Sequence, residues 1–409
     1  MNTKIIRLFF NNKLLFSFLI TTLFFLVSCN RIGSNDGQEV STDGATPIIV
    51  PIADKNDSLR LSSIIDEIEL IKLETSRDCP IGTITQVLYD ENSFFCYDNS
   101  VRQILRFSLD GKFLNNIGHV GRGHGEYFNP DFISLNKSKK EIWIHDNCTN
   151  FVKYNYEGNL LGIFDYPISA KSMVFLDKGL CFFTSKNNNY KSNAKDYYGA
   201  ELTISDNQTA MNRNSLKRYI SVSKELYPVG QGHTTIVEPT PFSENDKTIT
   251  FHYSVSNDIY EVDKNSGEVR VKYYVDFGKA NCKADLLSML VDDMLMYLHS
   301  NPKEAGLVNN VIETKDLLYF NFVYNLGNAV YLRCNETEYV GPYVDDIFNA
   351  VYKFDGTIDS RTLMFVVDNP SSLKYRPILH NYMSSEQIQL IDNATIDDNP
   401  FILLFHIKD

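Results

Sequence analysis

Hydrophobic and polar residues alternate in short runs along most of the chain. These runs are rich in aromatic and β-branched side chains and are bounded by Gly, Asn, Asp or Pro, which is the pattern of strands separated by turns. The clearest are SFFCY, QILRFSL, EIWIHD, NFVKYNY, LCFFTS, TITFHYS, VRVKYYVDF, LLYFNFVY and FILLFHI. Long amphipathic stretches are scarce, and the best of them predicts a short helical insertion near residues 283–299. The pattern therefore predicts an all-β fold.

A strand–turn–strand unit recurs in this β pattern. Its copies read QILRFSLDGKFLNNIG, NFVKYNYEGNLLGIF and NDIYEVDKNSGEVRVKYY, and they turn at Gly111, Gly158 and Gly267. Glycine suits such turns because it accepts positive φ at no steric cost. The first two glycines are 47 residues apart and the next gap is 109, which leaves room for a degraded copy that turns near Asp206 and Asn207. The repeat length is thus close to 50 residues.

A period of this length in an all-β sequence is typical of propeller blades. Residues 51–409 number about 360, and a blade takes about 40 to 60 residues. We therefore predict a single β-propeller of about six four-stranded blades over residues 51–409. A long two-sheet sandwich would not produce the period. We also expect residues 64–74 to pair with the last strand, residues 401–407, because closing the ring in this way removes exposed edges.

The N-terminus has the pattern of an export signal. Lys4, Arg7 and Lys13 precede an apolar run of about 15 residues, which is shorter than the roughly 20 residues of a membrane-spanning helix. The run ends in LVSC, which resembles the bacterial lipobox, so we predict a signal peptide over residues 1–28 and lipidation of Cys29. Residues 29–50 are mostly polar and are predicted to be a flexible tether to a membrane of the cell envelope. An uncleaved membrane anchor is the alternative.

The charge and the cysteine spacing disfavour two kinds of site, one for nucleic acid and one for zinc. The chain has 39 Lys and Arg against 51 Asp and Glu, and removal of the signal takes away three more cations. An acidic surface disfavours a nucleic-acid partner. The cysteines after Cys29 lack the close spacing of a zinc site, and we expect buried free thiols within strands. They are Cys79, Cys96, Cys148, Cys181, Cys282 and Cys334.

Four segments in order, ELIKLET, IGTITQVLYD, RFSLDGKFLNNIG and GRGHGEYFNPDF, resemble the six-bladed β-propeller lipoproteins of Bacteroidetes, relatives of the NHL-repeat propellers. The most specific part is the loop of residues 118–127, GHVGRGHGEY, which is similar to a G-x-G-P-G-E-Y segment of that family. His124 stands where the family pattern has Pro. The resemblance implies an extracytoplasmic six-bladed propeller and implies no reaction.

The same loop is the candidate ligand site. We predict that Arg122, His124, Glu126 and Tyr127 contact a ligand at the mouth of the central channel, because propeller loops commonly carry binding residues. The alternative is a plain connection between the first two blades. A metal cluster of His119, His124, His145 and Asp146 has little support from spacing alone. The single Trp143 is expected to pack between blades.

No catalytic motif is present: G-x-S-x-G and H-E-x-x-H are both absent, and we assign no catalytic residue, metal ligand or cofactor. The leading hypothesis is a lipid-anchored envelope protein whose propeller binds a glycan, a peptide or a protein, with no catalytic activity evident. The alternative is a metal-dependent propeller enzyme of the lactonase or lyase type, with its site in the central channel. A purely structural component of an envelope complex is a third hypothesis.

Overall fold

The computed structural model describes residues 38–408, except for residues 39, 56, 91, 148–149, 166–167, 169, 185–199, 209–215, 222–241, 254–255, 287–288, 290 and 349–352. The predicted signal peptide, Cys29 and Cys148 therefore lie outside the described residues. Within them, the strands form six separate sheets that are arranged in a ring as the blades of a propeller. The predicted all-β, six-bladed fold is confirmed.

Each blade is an antiparallel sheet whose four principal strands follow one another outward from the centre. The exception is the sixth blade, whose outermost strand comes from the N-terminal part of the chain. The strands, in chain order, are β1 (Thr46–Ile49), β2 (Leu59–Arg60) and β3 (Ile65–Lys72); in blade 1, β4 (Ile84–Asp90), β5 (Ser93–Asp98), β6 (Gln103–Ser108) and β7 (Phe113–Asn116); in blade 2, β8 (Pro130–Asn136), β9 (Glu141–Asp146), β10 (Asn150–Asn155) and β11 (Leu160–Asp165); in blade 3, β12 (Ser172–Phe175), β13 (Leu180–Phe183), β14 (Ala200–Ser205) and β15 (Lys217–Ser221); in blade 4, β16 (Phe242–Glu244), β17 (Thr248–Phe251), β18 (Asp258–Asp263) and β19 (Val269–Asp276); in blade 5, β20 (Gly306–Glu313), β21 (Leu317–Tyr324), β22 (Gly327–Cys334) and β23 (Thr337–Val344); and in blade 6, β24 (Gly356–Thr357), β25 (Thr362–Val367) and β26 (Phe401–Ile407), with β3 outermost.

Three α-helices accompany the strands within the described residues: α1 (Leu61–Ile64), α2 (Val291–Ser300) and α3 (Ser385–Asn393). The insertion predicted near residues 283–299 is present between blades 4 and 5, but its helix α2 begins later than predicted. Helix α3 was not predicted, although Ser384 and Gln387 form a capping box at its start, which is a signal that sequence can show. No helix among the described residues is long and apolar enough to cross a membrane.

Polar side chains join the innermost strands of neighbouring blades. The Gln86 amide accepts from the backbone N–H of Ile133 at 2.9 Å and donates to its carbonyl at 3.0 Å. Asn310 makes the same pair of bonds with Phe354, at 2.9 and 2.8 Å. The Ser134 hydroxyl donates to the carbonyl of Met173. These bonds satisfy inner-strand backbone groups that no sheet partner reaches, so they fix the spacing of adjacent blades.

The two faces of the ring differ in their connections. Because the strands alternate in direction, the links between blades and the links between second and third strands lie on one face. We call it the loop face, and it carries the long connections at residues 117–129, 277–305 and 368–400. The opposite face, the turn face, carries the short turns. A loop that runs from blade 1 to blade 2 therefore lies on the loop face and ends beside the central channel.

Strands from the two ends of the chain close the ring. Strand β3 pairs antiparallel with β26 over a register that runs from Lys72 opposite Phe401 to Ile65 opposite Ile407. Leu403 and Phe405 on β26 are completely buried in the core of this blade. The predicted pairing of the N-terminal and C-terminal segments is confirmed.

The chain before β3 forms a belt, residues 38–60, around the outside of the ring. Gln38 bridges β15 of blade 3, Ser41 and β1 lie parallel to β19 of blade 4, and β2 lies parallel to β23 of blade 5. The sequence predicts a flexible tether over residues 29–50, whereas Gln38, Ser41 and β1 within this range pair with the outer strands of blades 3 and 4. The reason is that the outer edges of these blades offer unpaired backbone groups to the segment, and that Ile48, Val50 and Ile52 are buried in the core of blades 4 and 5.

The repeat unit corresponds to the hairpin formed by the third and fourth strands of a blade. The turn glycines Gly111, Gly158 and Gly267 have φ values of 80°, 82° and 69°, as the sequence predicts. The degraded copy is the hairpin of β14 and β15. Blade 5 has a further copy that the glycine spacing does not reveal, since its turn contains Asn335 at a φ of 53° in place of glycine.

The cysteine prediction was partly wrong. Cys96 and Cys181 are buried in strands as free thiols, and Cys334 is buried in β22. Burial raises the pKa of the Cys96 and Cys181 thiols far above the ordinary range. Cys79 is buried but lies in the loop before β4, and Cys282 is half-buried after β19. The apolar runs around the first three cysteines, which mark strands, are missing around these two.

Ring closure should dominate the stability of the fold. Phe405→Ala is expected to lower the free energy of unfolding by about 3–5 kcal/mol, because the ring is fully buried and contacts Phe348 and Phe354 edge-on. Denaturant unfolding followed by circular dichroism measures the change. The control is Tyr375→Ala at a side chain that is 82% exposed, which should change stability by less than about 0.5 kcal/mol. Equal effects of the two substitutions would contradict the role given to β26.

Candidate functional site

The loop of residues 118–127, which we call the glycine loop, is braced by its own hydrogen bonds. The backbone N–H of Tyr127 donates to the carbonyl of His119, and that of Gly121 donates to the carbonyl of Tyr127. The Glu126 carboxylate folds back to accept from the backbone N–H of Gly123 at 2.7 Å. A Cβ at Gly121 would lie 1.9 Å from this carboxylate. The loop is therefore compact, and its glycines make room for the brace.

Tyr154 on β10 anchors the same loop to blade 2. Its hydroxyl donates to the carbonyl of Gly125, and its ring contacts Tyr127 edge-on with centroids 6.4 Å apart. Gly118 and Gly125 both have positive φ, 63° and 82°. A Cβ at Gly118 would lie 2.4 Å from the Tyr154 ring. Glycine is thus required at residue 118 by backbone conformation and by packing together.

Aspartates at the ends of second strands fix where each inter-blade loop enters the next inner strand. Asp146, which ends β9, accepts from the backbone N–H groups of Phe128 and Asn129 at 3.0 and 2.6 Å. Asp98, at the same place in blade 1, accepts from Gly82 and Thr83. Both carboxylates are buried, and satisfied bonds of this kind hold a loop in one conformation. Asp146 therefore sets the position of Phe128.

Phe128 and two arginines form an exposed patch, Arg102–Arg122–Phe128, on the loop face. The Phe128 ring is 39% exposed. The Arg122 guanidinium lies 4.5 Å and that of Arg102 5.8 Å from its centroid, and Arg102 also donates to the Phe128 carbonyl. Neither arginine forms an ion pair with a carboxylate within the part of the chain that the structure describes. A cationic, aromatic patch of this kind suits a ligand with a negative charge and an apolar face.

The four residues predicted to bind a ligand lie in different surroundings. Arg122 and His124 are on the surface of the loop, and Glu126 is exposed but engaged with Gly123. Tyr127 is 1% exposed, and burial raises its pKa far above the ordinary range, so its ring packs in the core between blades 1 and 2. Sequence reasoning missed Phe128, whose signal was an aromatic residue directly after the conspicuous loop motif.

Sequence reasoning also missed Arg102, for a different reason. It precedes β6 in a connection that no motif marks. Nothing in the local sequence places Arg102 beside Phe128, because the two residues meet only when blades 1 and 2 stand next to each other in the ring.

His145 and Trp143 lie in the core. The ring of His145 is fully buried, is stacked on Phe132 at 4.7 Å, and places Nδ1 3.1 Å from a carboxylate oxygen of Asp131. Trp143 contacts Phe175 of blade 3 at 5.2 Å, which confirms the prediction that it packs between blades. Ile142 and Ile144 pack on the other face of β9, toward blade 1.

Within the described residues, no group of three or more His, Cys, Asp or Glu side chains is placed to share a metal ion. Of the four residues considered for a metal cluster, His145 faces Asp131 and Asp146 caps the loop, while His119 and His124 are exposed.

A second group of charged residues lies between blades 4 and 5. Lys272 bridges two buried carboxylates, Glu261 at 2.9 Å and Glu313 at 3.0 Å. The Tyr273 hydroxyl donates to Glu313 at 2.8 Å, and Arg270 donates to Glu261 at 2.7 Å. Burial by itself would raise the pKa of Glu261, but the bonds from Lys272 and Arg270 outweigh it and hold that pKa below its usual value. The charges are compensated, so this cluster joins the two blades.

Substitution of Gly118 should show why the glycine loop needs glycine. Gly118→Ala is expected to cost about 1–2 kcal/mol for the left-handed backbone and about 1–3 kcal/mol more for the clash with Tyr154. The matched control is Gly278→Ala, since Gly278 has a φ of 57° and no atom within 4 Å of the position that a Cβ would take. Denaturant unfolding of both variants separates the two costs. Equal losses would show that Tyr154 moves aside freely.

Removal of Lys272 should show how much the charged cluster contributes to the free energy of unfolding. Lys272→Met leaves buried Glu313 without its cation and leaves Glu261 with Arg270 alone, and we expect a loss of about 3–5 kcal/mol in unfolding free energy. Denaturant unfolding measures it. Lys112→Ala, at an exposed pair with Asp110, is the control and should cost less than about 1 kcal/mol.

Acid should weaken the same cluster. Because the folded-state pKa of Glu261 is lowered from 4.5, its stabilisation is present above that value and is lost as pH falls through the folded-state pKa. Glu261→Gln should therefore flatten the fall in unfolding free energy below pH 4.5. An unchanged pH profile in this variant would contradict the assignment.

Comparison with known proteins supports the fold. A protein of Bacteroides fragilis, provisionally described as exported, has a structure similar to this chain with a TM-score of 0.65 at 17% identity, covering 87% of this chain and 98% of its own. A DUF4221 family member from Bacteroides vulgatus has a TM-score of 0.44 at 10% identity, covering 84% and 99%. Virginiamycin B lyase from Staphylococcus aureus has a TM-score of 0.35 at 12% identity, covering 83% and 99%.

At these identities the likeness concerns the fold, and the two lower TM-scores support no argument about this chain. No curated protein sequence matches it. The profile of one family, described as a domain of unknown function, matches residues 47–406, from β1 to the last strand. The chain therefore belongs to the DUF4934 family.

Proposed function

We propose that this protein is a lipid-anchored binding protein of the cell envelope, whose propeller recognises a carboxylate-bearing ligand, foremost an acidic glycan, through the Arg102–Arg122–Phe128 patch. The export signal and the lipobox-like Cys29 support the location. The observation that carries the binding role is the exposed Phe128 ring beside two guanidinium groups that have no carboxylate partner among the described residues.

The patch stands out against the charge of the chain. The sequence carries a formal charge of −12, so most of its surface repels an anionic ligand. Two arginines beside one exposed ring supply a local exception. A guanidinium pairs with a carboxylate through two parallel hydrogen bonds, while the ring offers a flat apolar surface to the face of a sugar.

The hydrogen bonds that hold the patch in place also favour binding. Asp146 holds the backbone of Phe128, and the glycine loop that carries Arg122 is braced by Glu126 and anchored by Tyr154. Arg102 is tied to the Phe128 carbonyl. A patch held in place before binding loses less entropy when a ligand arrives. In this proposal His124 lies at the rim and Glu126 is a positioning residue.

The alternative of a metal-dependent lactonase or lyase requires several Asp, Glu, Asn or His side chains that converge on the central channel. Among the described residues, no group of three or more His, Cys, Asp or Glu side chains is placed to share a metal ion. The binding role therefore explains more of the loop face.

Ligand binding can be measured by calorimetry with oligogalacturonate as the probe. Arg122→Ala should weaken binding about 10- to 100-fold, since a hydrogen-bonded charge contributes about 1.5–3 kcal/mol. Phe128→Ala should weaken it further by removal of the stacking surface. A neutral oligosaccharide of the same length and a hexaglutamate peptide complete the panel and separate a glycan from an acidic peptide.

Two controls accompany the panel. Lys112→Ala removes an exposed cation on the turn face and should leave affinity unchanged. Arg122→Lys keeps the charge but loses the paired hydrogen bonds, so it should bind with intermediate affinity. If Arg122→Ala and Phe128→Ala bind every acidic probe as the wild type does, the proposal is wrong.

A further inference from the structure

Two outer edges of the ring are left uncovered by the belt. The belt lies along blades 3, 4 and 5, and β3 is the outer strand of blade 6. Strands β7 of blade 1 and β11 of blade 2 have no strand outside them within the described residues. Open edges of this kind usually carry charges or bulges that discourage contact.

The uncovered edges are apolar where a covered edge is charged. Leu114 on β7 and Leu161 on β11 both lie three residues after their turn glycine, and both are nearly half exposed, at 46% and 47%. The corresponding residue in blade 4 is Arg270, which bridges the belt at Ser41 and pairs with Glu261. The difference shows that the leucines are not demanded by the blade structure itself.

Strand β11 is the more apolar of the two edges. Leu160, Leu161 and Ile163 are all exposed on it, so half of this six-residue strand presents aliphatic side chains to solvent. Pairing Ile163 with Val152 orients it toward blade 1, and Leu160 packs against Gly125 of the glycine loop. We call Leu160, Leu161 and Ile163 the blade 2 edge.

The chain places this edge close to the predicted lipid anchor. Gln38 is fixed on β15 of blade 3, the neighbour of blade 2, through its backbone N–H to the carbonyl of Arg218. Cys29 lies nine residues before Gln38, so the acylated end reaches at most about 30 Å from that point. A lipid inserted at Cys29 therefore keeps the outer edge of blade 3 within about 30 Å of the bilayer, and blade 2 is its neighbour on the side that the belt leaves uncovered.

We infer that the blade 2 edge lies on a phospholipid surface, with Leu161 and Ile163 entering the interface, so that the propeller stands edge-on at the membrane. The inference rests on the proposed anchor at Cys29. The tether raises the local concentration of lipid around the edge, and exposed aliphatic side chains gain from burial in the acyl boundary. Lys217, exposed at the start of β15, suits the lipid phosphates alongside.

This orientation leaves the loop face accessible. The edge of a ring is perpendicular to its two faces, so an edge-on propeller holds the Arg102–Arg122–Phe128 patch open to the aqueous side. The glycine loop links the two surfaces, because Leu160 of the edge packs against Gly125.

Fluorescence quenching by lipid tests the inference. The lipidated chain carrying Leu161→Trp is reconstituted into vesicles of phosphatidylethanolamine and phosphatidylglycerol that contain brominated acyl chains. The wild-type protein supplies the background, because its single Trp143 is 1% exposed. The matched control is Val344→Trp at the end of β23 in blade 5, opposite in the ring and covered by the belt, where Val344 is 41% exposed.

We expect at least about twofold stronger quenching for Leu161→Trp than for the control, and the same result for Ile163→Trp. Adding Ile163→Glu to Leu161→Trp should abolish the difference. Equal quenching at both blades in protein that floats with the vesicles would overturn the edge-on orientation alone.

Two further outcomes would also overturn it. If the wild-type protein fails to float with the vesicles, or if it floats no better than the Cys29→Ala variant, the anchor is overturned and the inference with it. Dimers of the chain lacking residues 1–29, detected by light scattering and dissociated by Leu161→Glu, would assign the edge to a second copy of the protein.

Discussion

The pairing of β3 with β26 is the interaction on which the remaining structure depends. It joins residues more than three hundred positions apart in sequence and completes the sixth blade from the two ends of the chain. Until it forms, blades 1 and 5 each lack one neighbour, and their apolar faces stay open to water. The side-chain bonds between inner strands, such as those of Gln86 and Asn310, then have fixed partners only in the closed ring. Long-range closure of this kind concentrates stability in one seam.

The proposed binding surface depends on how neighbouring blades of the ring meet. Adjacent blades bring Arg102 of one blade within reach of Phe128 at the entry to the next. Asp146 fixes that entry, and Tyr154 holds the glycine loop against blade 2. The belt then decides which edges remain open, so one chain segment influences both the proposed orientation at a membrane and the protection of three blades. Architecture and surface chemistry are therefore not independent in this protein.

Much of the fold could be predicted because its signals are local. Alternating apolar residues and the turn glycines Gly111, Gly158 and Gly267 mark hairpins at a regular spacing, and the closing strands stand at the two ends. The belt could not be predicted, since its strands pair in parallel through backbone groups with blades far away in the chain, although Ile48, Val50 and Ile52 are buried in the core. The candidate site was half predictable: the glycines and Arg122 were visible in the motif, whereas the burial of Tyr127 depends on its packing against Tyr154 of β10.

The order of residues along the chain is enough to specify the class of fold, the number of blades, the closure of the ring and the family resemblance, because strand periodicity and turn conformation depend on residues close together in the chain. It also supplies the prediction of a lipid anchor at Cys29. Three features of the site become visible only in the folded ring: Glu126 braces a loop, Tyr127 is buried, and Arg102 joins Arg122 beside Phe128. The Glu126 brace is local to its loop, but the burial of Tyr127 and the contact of Arg102 with Phe128 depend on which blades stand side by side, and packing across the ring sets how close those blades lie.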